Sequence, residues 1–332
     1  MVRYGLLGFG HHCAKRLVPA FPGARASVLA GLWRRDLQKA AADAREYGIS
    51  EVFATAEELC ASPSIDVVFV TSPDALHLPH VLLALSSGKP VLCEKPLGMS
   101  AEEVEQMLAA ANTAGQLLGV AQNMRYNYSI EAMREWIAEG RIGKPVLANS
   151  QFCYAAETSP RKWIYDPALA CGGPIGDVAI HCIDALRFAL NSRVAQVNTL
   201  ARADEKSGPV EAYAAIGLDF SAGAMGTVTV TSRGAYRSLI EVTGEIGTIV
   251  SQYGLSVDND VDVELWRAGK VVDRKTVSNR DAYTRMLDSF SDWVQGRGEY
   301  RATGADGLHN QQVLDAAYAS WRTCERQLLP SE

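Results

Sequence analysis

Tyr4-Gly5-Leu6-Leu7-Gly8-Phe9-Gly10-His11-His12-Cys13 runs an apolar strand directly into two glycines and the start of a helix. The spacing is G-x-G-x-x-C, where the dinucleotide fingerprint closes on Gly or Ala. Gly8 permits the tight turn. Gly10 lets the backbone approach a pyrophosphate, which then rests on the helix N-terminus. The third position exists for close helix–strand packing, and Cys13 is small enough to serve there. Taken alone, the stretch also describes an ordinary glycine-rich turn. Its place at the head of a strand–helix alternation favours the dinucleotide, with Gly8, Phe9, Gly10, His11 and His12 forming the cofactor turn.

That alternation continues outward. Tyr4–Leu7, Ser27–Leu32, Val67–Val70, Val91–Cys93 and Leu117–Val120 read as strands, while Leu37–Tyr47, Leu78–Ser86 and Ala101–Ala114 carry helical spacing. Ser100 with Glu103 forms a capping box, and Gly88 and Gly115 stand where helices stop. The expectation is an α/β Rossmann domain, a doubly wound parallel sheet, over residues 1–122. Past Asn123 the texture changes. A helix at Ile130–Gly140 precedes alternating segments at Val146–Ala155, Val194–Ala203, Val210–Phe220, Met225–Ser232, Leu239–Thr243 and Val261–Arg267. One helix, Ile175–Leu190, interrupts them, and Tyr283–Gln295 and Gly307–Gln327 close the chain. Strands in series predict a large, mostly antiparallel open sheet in a second α/β domain, 123–332. Two domains also suit 332 residues at about 150 each.

Composition removes several function classes. With 48% hydrophobic and 21% charged residues the chain is that of a folded globular protein. A formal charge of −6, without any Lys/Arg block, disfavours nucleic acid as a partner. No apolar run approaches the ~18 residues that span a bilayer, and the opening reads as a strand rather than a signal peptide. Seven cysteines, an odd number without any C-x-x-C, argue against a disulfide framework and against structural zinc. Cytoplasm is the expected compartment.

Three further stretches carry chemistry. The second strand ends in Trp33-Arg34-Arg35-Asp36, where an NAD site would place a carboxylate for the ribose hydroxyls. Two guanidinium groups suit a 2′-phosphate, so NADP(H) is favoured over NAD(H), with Asp36 as a helix N-cap. Arg34 or Arg35 pointing to solvent is the alternative. Glu94-Lys95-Pro96 stands at the C-terminal end of another strand, the edge where such folds bind ligands. A lysine there can approach the nicotinamide, with proline fixing the turn through a cis peptide. In Gly172-Gly173-Pro174-Ile175-Gly176-Asp177-Val178-Ala179-Ile180-His181-Cys182-Ile183-Asp184, the residues Asp177, His181 and Asp184 share one helix face. A neutral histidine there can take an alcohol proton. A core histidine paired with a carboxylate is the bland alternative.

Together these stretches resemble the Gfo/Idh/MocA oxidoreductases nearly end to end. Thr71-Ser72-Pro73-Asp74 followed by His77 is similar to the family's cofactor-facing loop, and Glu94-Lys95-Pro96 to its signature triplet. Asn123-Met124-Arg125, Gly140-Arg141-Ile142-Gly143-Lys144-Pro145, Gly244-Glu245-Ile246-Gly247-Thr248 and Gly304-Ala305-Asp306-Gly307 follow further landmarks. Asp177-x-x-x-His181-x-x-Asp184 fits the catalytic helix, with Cys171 in place of the first glycine of the usual three. The resemblance implies Lys95 and His181 as the catalytic pair with Asp177 beside them. It adds Thr71, Ser72, Pro73, His77, Glu94, Lys95, Asn123 and Arg125 to the cofactor contacts.

Hydride transfer between the nicotinamide and a secondary alcohol or ketone of a sugar, cyclitol or related polyol follows from that resemblance, with no metal. His77 and His80 read as one cofactor-facing and one helix-surface histidine. Arg125, Tyr126, Tyr154, Trp163, Tyr165 and Tyr283 are candidate substrate contacts, because aromatic walls with polar tips suit a polyol. Thr227-Val228-Thr229-Val230-Thr231 belongs to a sheet expected to leave one face without helices of its own, and the resemblance implies that a second copy covers that face in a homodimer or homotetramer. A family glycosidase that recycles its cofactor, or a non-enzymatic dinucleotide sensor, are the alternative functions.

Overall fold

Short apolar runs without polar alternation form the interior strands of a sheet with helices on both faces. β1 (Val2–Leu7), β2 (Ser27–Trp33), β3 (Glu51–Val52), β4 (Val67–Val70), β5 (Val91–Cys93) and β6 (Leu118–Val120) pair in parallel in the order β3-β2-β1-β4-β5-β6. All four residues of β4 are fully buried. The helices are α1 (Leu37–Tyr47), α2 (Ala56–Ala61), α3 (His77–Ser86) and α4 (Ala101–Ala114). Neither β3 nor α2 is expected from the sequence, because two and six residues are too few to display a period. This computed structural model describes residues 1–158 and 160–330.

Local signals at the helix ends hold. Asp36 caps α1 by accepting the Lys39 N–H at 3.1 Å. Ser100 accepts the Glu103 N–H at 3.3 Å, while Glu103 reaches back to the Met99 N–H at 2.8 Å. The segment after the glycine turn departs from a regular helix. Cys13–Leu17 winds as a π turn and Val18–Gly23 as a 3-10 helix. Pro19 and Pro22 lack the N–H groups an α-helix would need there.

The chain divides into two units, Met1–Gln122 with Tyr283–Gln311, and Asn123–Ala282 with Gln312–Glu332. A second domain continuous over 123–332 is therefore interrupted. The physical reason lies in hydroxyl contacts between residues far apart in sequence. Ser291, in α7 (Ala282–Val294), places its Oγ 2.9 Å from Tyr4 Oη and 2.8 Å from Ser27 Oγ. Tyr300 donates its hydroxyl to the Val120 carbonyl at 3.0 Å.

The second unit holds β7 (Pro145–Ala155), β8 (Val194–Ala203), β9 (Glu211–Phe220), β10 (Met225–Thr231), β11 (Arg233–Gly244), β12 (Thr248–Ser251), β13 (Asp260–Arg267), β14 (Lys270–Ser278) and β15 (Gln327–Leu328). Their order is β14-β13-β12-β11-β7-β10-β9-β8-β15, antiparallel throughout except for β7 with β10. Period-two burial is clear on β9, where Ala212, Ala214, Ile216, Leu218 and Phe220 face the core. α5 (Tyr128–Ala138) and α6 (Ile180–Leu190) supply that core's other side through Ile130, Met133, Ile180, Ile183 and Leu186. α8 (Gly304–Thr323) contributes Val313, Leu314 and Ala317. β12, β14 and β15 are absent from the sequence reading; β14 is an almost wholly exposed edge strand without alternation. Among the described residues no helix is long and apolar enough to cross a membrane.

Candidate active site

Parallel strands end together, so the loops after β1, β4 and β5 gather at one sheet edge, where the chain reverses its winding direction. Gly8 has φ +104°, and a Cβ there would lie 2.8 Å from the Ser72 nitrogen. Thr71 Oγ1 donates to the Gly8 carbonyl at 2.6 Å and ties the two loops together. A Cβ at Gly10 would meet nothing within 4 Å, so the turn opens onto free space wide enough for a phosphate to approach backbone. On the loop after β6, Gln122 is fully buried, and neither Nε2 nor Oε1 has a hydrogen-bond partner among the described residues. An open glycine cradle and an orphaned amide at such an edge fit a dinucleotide. Gln122 is missed by the sequence reading, since a lone Gln after a strand has no local signature.

His77 is a correction. It is fully buried, with Nδ1 2.8 Å from the Pro96 carbonyl and Nε2 3.0 Å from the Ser72 carbonyl. It therefore clamps two loops rather than facing a cofactor. His80 is not a surface histidine either. Its Nδ1 lies 3.0 Å from Ser72 Oγ, its ring meets Trp33 edge-on, and burial, aided by His77, lowers its pKa to about 4.

The Lys95–Pro96 peptide is cis. Glu94 Oε1 lies 3.1 Å from His12 Nε2, and the His12 ring meets Tyr283 edge-on at 5.8 Å. Burial pushes the Glu94 carboxyl up, but His12, Lys95 and His77 together hold it below its ordinary value. The two arginines after β2 separate. Arg34 donates to Asp43 at 2.5 Å, whereas Arg35 is exposed and has no ion-pair partner among the described residues.

In the second unit the expected helix divides into a π turn, Ile175–Ala179, and α6. Its start is capped from a neighbouring strand. Buried Glu211 accepts the Ile175 N–H at 2.7 Å, the Gly173 N–H at 3.1 Å and the Tyr318 hydroxyl at 3.1 Å. Burial raises its pKa against those hydrogen bonds. A Cβ on Gly173 would lie 2.0 Å from the Glu211 carbonyl oxygen, and one on Gly172 would lie 1.7 Å from Tyr318 Oη. Glycine is required at both positions, whereas Cys171 is tolerated at the first place of the usual triplet.

Asp177 is held by Arg161 and Tyr154. Its Oδ1 accepts Arg161 Nη1 at 3.1 Å; its Oδ2 accepts Arg161 Nη2 at 2.9 Å and Tyr154 Oη at 2.8 Å. Burial, then the Asp177 charge, drives the Tyr154 hydroxyl well above its ordinary pKa. His181 follows one turn later at the margin of burial. Asp184, fully buried, takes a bidentate pair from Arg125, with Nε at 2.9 Å and Nη2 at 2.6 Å. Arg125, expected from the sequence to contact cofactor and substrate, is therefore a buried anchor of α6, and Tyr126 is likewise buried. Tyr165 carries Arg233 over its ring and is tied through it to Asp204. Asn123 is buried and Trp163 half-buried. Arg161 is missed by the sequence reading because one arginine in a polar loop is indistinguishable from a solvated one.

Comparison with known proteins agrees with this geometry. Residues 2–122 match the model of an oxidoreductase family with an NAD-binding Rossmann fold, and 130–250 match the GFO/IDH/MocA C-terminal domain. The 1,5-anhydro-D-fructose reductase of Ensifer adhaerens is 30% identical, with 93% of this chain and 92% of that one covered. D-xylose 1-dehydrogenase (NADP(+)) 2 of Haloferax volcanii is 28% identical, covering 96% and 97%. The crystal structure of an aldose-aldose oxidoreductase from Caulobacter crescentus superposes with a TM-score of 0.90 over 99% of both chains at 24% identity, which establishes a common fold. Two matched domains in the expected order and a relative aligned nearly end to end place this chain in the Gfo/Idh/MocA oxidoreductases, as an NAD(P)-dependent dehydrogenase or reductase of CH–OH groups.

Proposed function

We propose that the chain interconverts a secondary alcohol and a ketone on a sugar, cyclitol or related polyol, with NADP(H) preferred. The observation that carries this reading is a helix of buried apolar residues that keeps a polar pair, Asp177 and His181, on one face at its capped end. A sugar reductase and an NADP-dependent sugar dehydrogenase among the relatives support the substrate class and the cofactor.

Backbone at Gly8, Phe9, Gly10, His11 and His12 would hold the pyrophosphate, Thr71, Ser72 and Pro73 would border it, and Arg35 would meet the 2′-phosphate. Glu94 orders His12 beside them, and Asn123 adds a contact. The nicotinamide, when bound, supplies or accepts the hydride. His181, as neutral imidazole, removes the hydroxyl proton during oxidation and returns it during reduction. The Lys95 ammonium donates a hydrogen bond to the same oxygen and stabilises its developing negative charge. Asp177 orients the substrate rather than moving a proton, since Arg161 and Tyr154 already engage its carboxylate.

The reading extends to setting and assembly. Seven scattered cysteines without any C-x-x-C suit a reducing cytoplasm, and the exposed apolar residues Leu147, Leu200 and Met225 on the large sheet suit a homodimer or homotetramer. The test is steady-state turnover on polyols and keto-sugars with each cofactor. His181→Ala should lower turnover by ~10²–10⁴ with NADP affinity little changed, and Lys95→Ala should lower it as well. Turnover without net NADP consumption would select a cofactor-recycling glycosidase instead. Near-wild-type turnover in His181→Ala would overturn the assignment in favour of a sensor.

A further inference from the structure

Arg161, Asp177 and Tyr154 come from three separate elements, the loop between β7 and the catalytic helix, the π turn, and β7. Their side chains converge on one carboxylate. Arg161 and Asp177 remain 27% and 10% exposed, so the pair has an edge open to a ligand. Its net charge is zero. Bidentate Arg–carboxylate geometry fixes the two opposite charges side by side, and Tyr154 holds the carboxylate from the other side. We infer that Arg161 sets substrate selectivity: with Asp177 it forms a charge-compensated clamp for an uncharged pair of adjacent hydroxyls, and it disfavours a carboxylate at the same place.

The argument is electrostatic. A hydroxyl both donates and accepts, so a neutral diol can donate to Asp177 and accept from Arg161 together. An anion meets Arg161 and Asp177 at nearly equal distance. Attraction and repulsion then largely cancel, and the lost hydration of the anion is not recovered. An arginine lacking such a neighbour would select for anions; this one is held by a carboxylate. Specificity of this kind depends on the repulsive partner as much as on the attractive one. If the pair only fastened the loop to the helix, its removal would weaken all ligands alike.

This inference rests on the polyol oxidoreductase reading, and the experiment separates the two. Full-length protein saturated with NADP is measured for kcat/KM and for ligand Kd with an aldose and its uronate, and with a tetritol and its aldarate. Wild type should favour the neutral member by roughly tenfold or more. Asp177→Asn uncovers the guanidinium and should move the ratio toward the anion by about tenfold. Arg161→Gln should weaken both members and move the ratio further toward the neutral one. The Kd ratio remains readable where Asp177→Asn turns over slowly, and Arg161→Gln carries the test if that variant does not fold. A ratio unchanged in both variants, or a wild type that prefers the anion, overturns the clamp alone. A wild type that turns over neither member of either pair with NADP or NAD overturns the polyol reading together with it.

Discussion

Arg34 and Arg35 are adjacent and chemically identical, yet their surroundings give them different tasks. Arg34 is held by Asp43 in a partly buried ion pair, which neutralises most of the field it could offer a phosphate. Arg35 is exposed and follows β2, so it is the arginine that our proposal assigns to a 2′-phosphate. Loss of one charge-assisted contact costs about 1.5–3 kcal/mol. Arg35→Ala should therefore weaken NADP binding by roughly tenfold to a hundredfold, and leave NAD binding nearly unchanged. Fluorescence titration of both cofactors checks this; equal losses for NADP and NAD would contradict it. Arg34→Ala should act differently, since it uncovers the Asp43 carboxylate and destabilises α1. The same contrast separates His77 from Lys95, because burial and two carbonyl contacts give His77 the work of joining loops.

At the scale of elements, the helix that carries Asp177 and His181 depends on a cap that its own sequence does not contain. A helix start leaves N–H groups without partners, and Pro174 cannot supply a capping side chain. Glu211 arrives from β9 and satisfies two of those groups, with its negative charge toward the positive end of the helix dipole. Gly172 and Gly173 lack side chains because Tyr318 and the β9 backbone occupy that space. Glu211→Gln keeps the shape but must turn an NH2 toward a donor. It should cost about 1–3 kcal/mol and lower the thermal midpoint by roughly 2–12 °C at 2–4 °C per kcal/mol. Calorimetry on the two proteins reads the shift. A midpoint within about a degree of wild type, on the same scale, would show that the carboxylate is not the cap.

On the face of the nine-stranded sheet that carries Thr227 and Asn149, Leu147, Met225 and Leu200 are 51%, 63% and 78% exposed. Between them Thr227 donates to Asn149 at 2.6 Å, and Asn149 donates to Glu241 at 3.3 Å. Apolar groups around a satisfied polar ladder make a flat surface that loses little on dehydration. In the homodimer or homotetramer of our proposal, a second copy covers it with the same surface through a two-fold axis. Light scattering at micromolar concentration should give twice or four times 35.9 kDa. The monomer mass throughout would contradict the pairing, and Met225→Lys should shift the assembly toward that mass.

Much of this protein was legible in one dimension. Strand–helix alternation and the glycine turn led to the parallel sheet, and α1, α4, β4 and β5 fall on their expected residues. These features depend on local periodicity, caps and the φ freedom of Gly8, all of which are properties of neighbouring residues. Short elements such as β3, α2 and β15 leave no legible pattern because two or six residues are too few for a periodic pattern to repeat. The candidate site divides in the same way. Asp177 and His181 stand out by sharing one helix face and Lys95 by the resemblance of its triplet to the family signature, but whether a charged group is available or already engaged is decided by residues elsewhere along the chain. Asp43 holds Arg34 at nine residues' distance, Asp184 holds Arg125 at 59, and Glu211 caps a helix 36 residues before it. Charge compensation and burial act through space over a few ångströms, so only the tertiary structure could assign those roles.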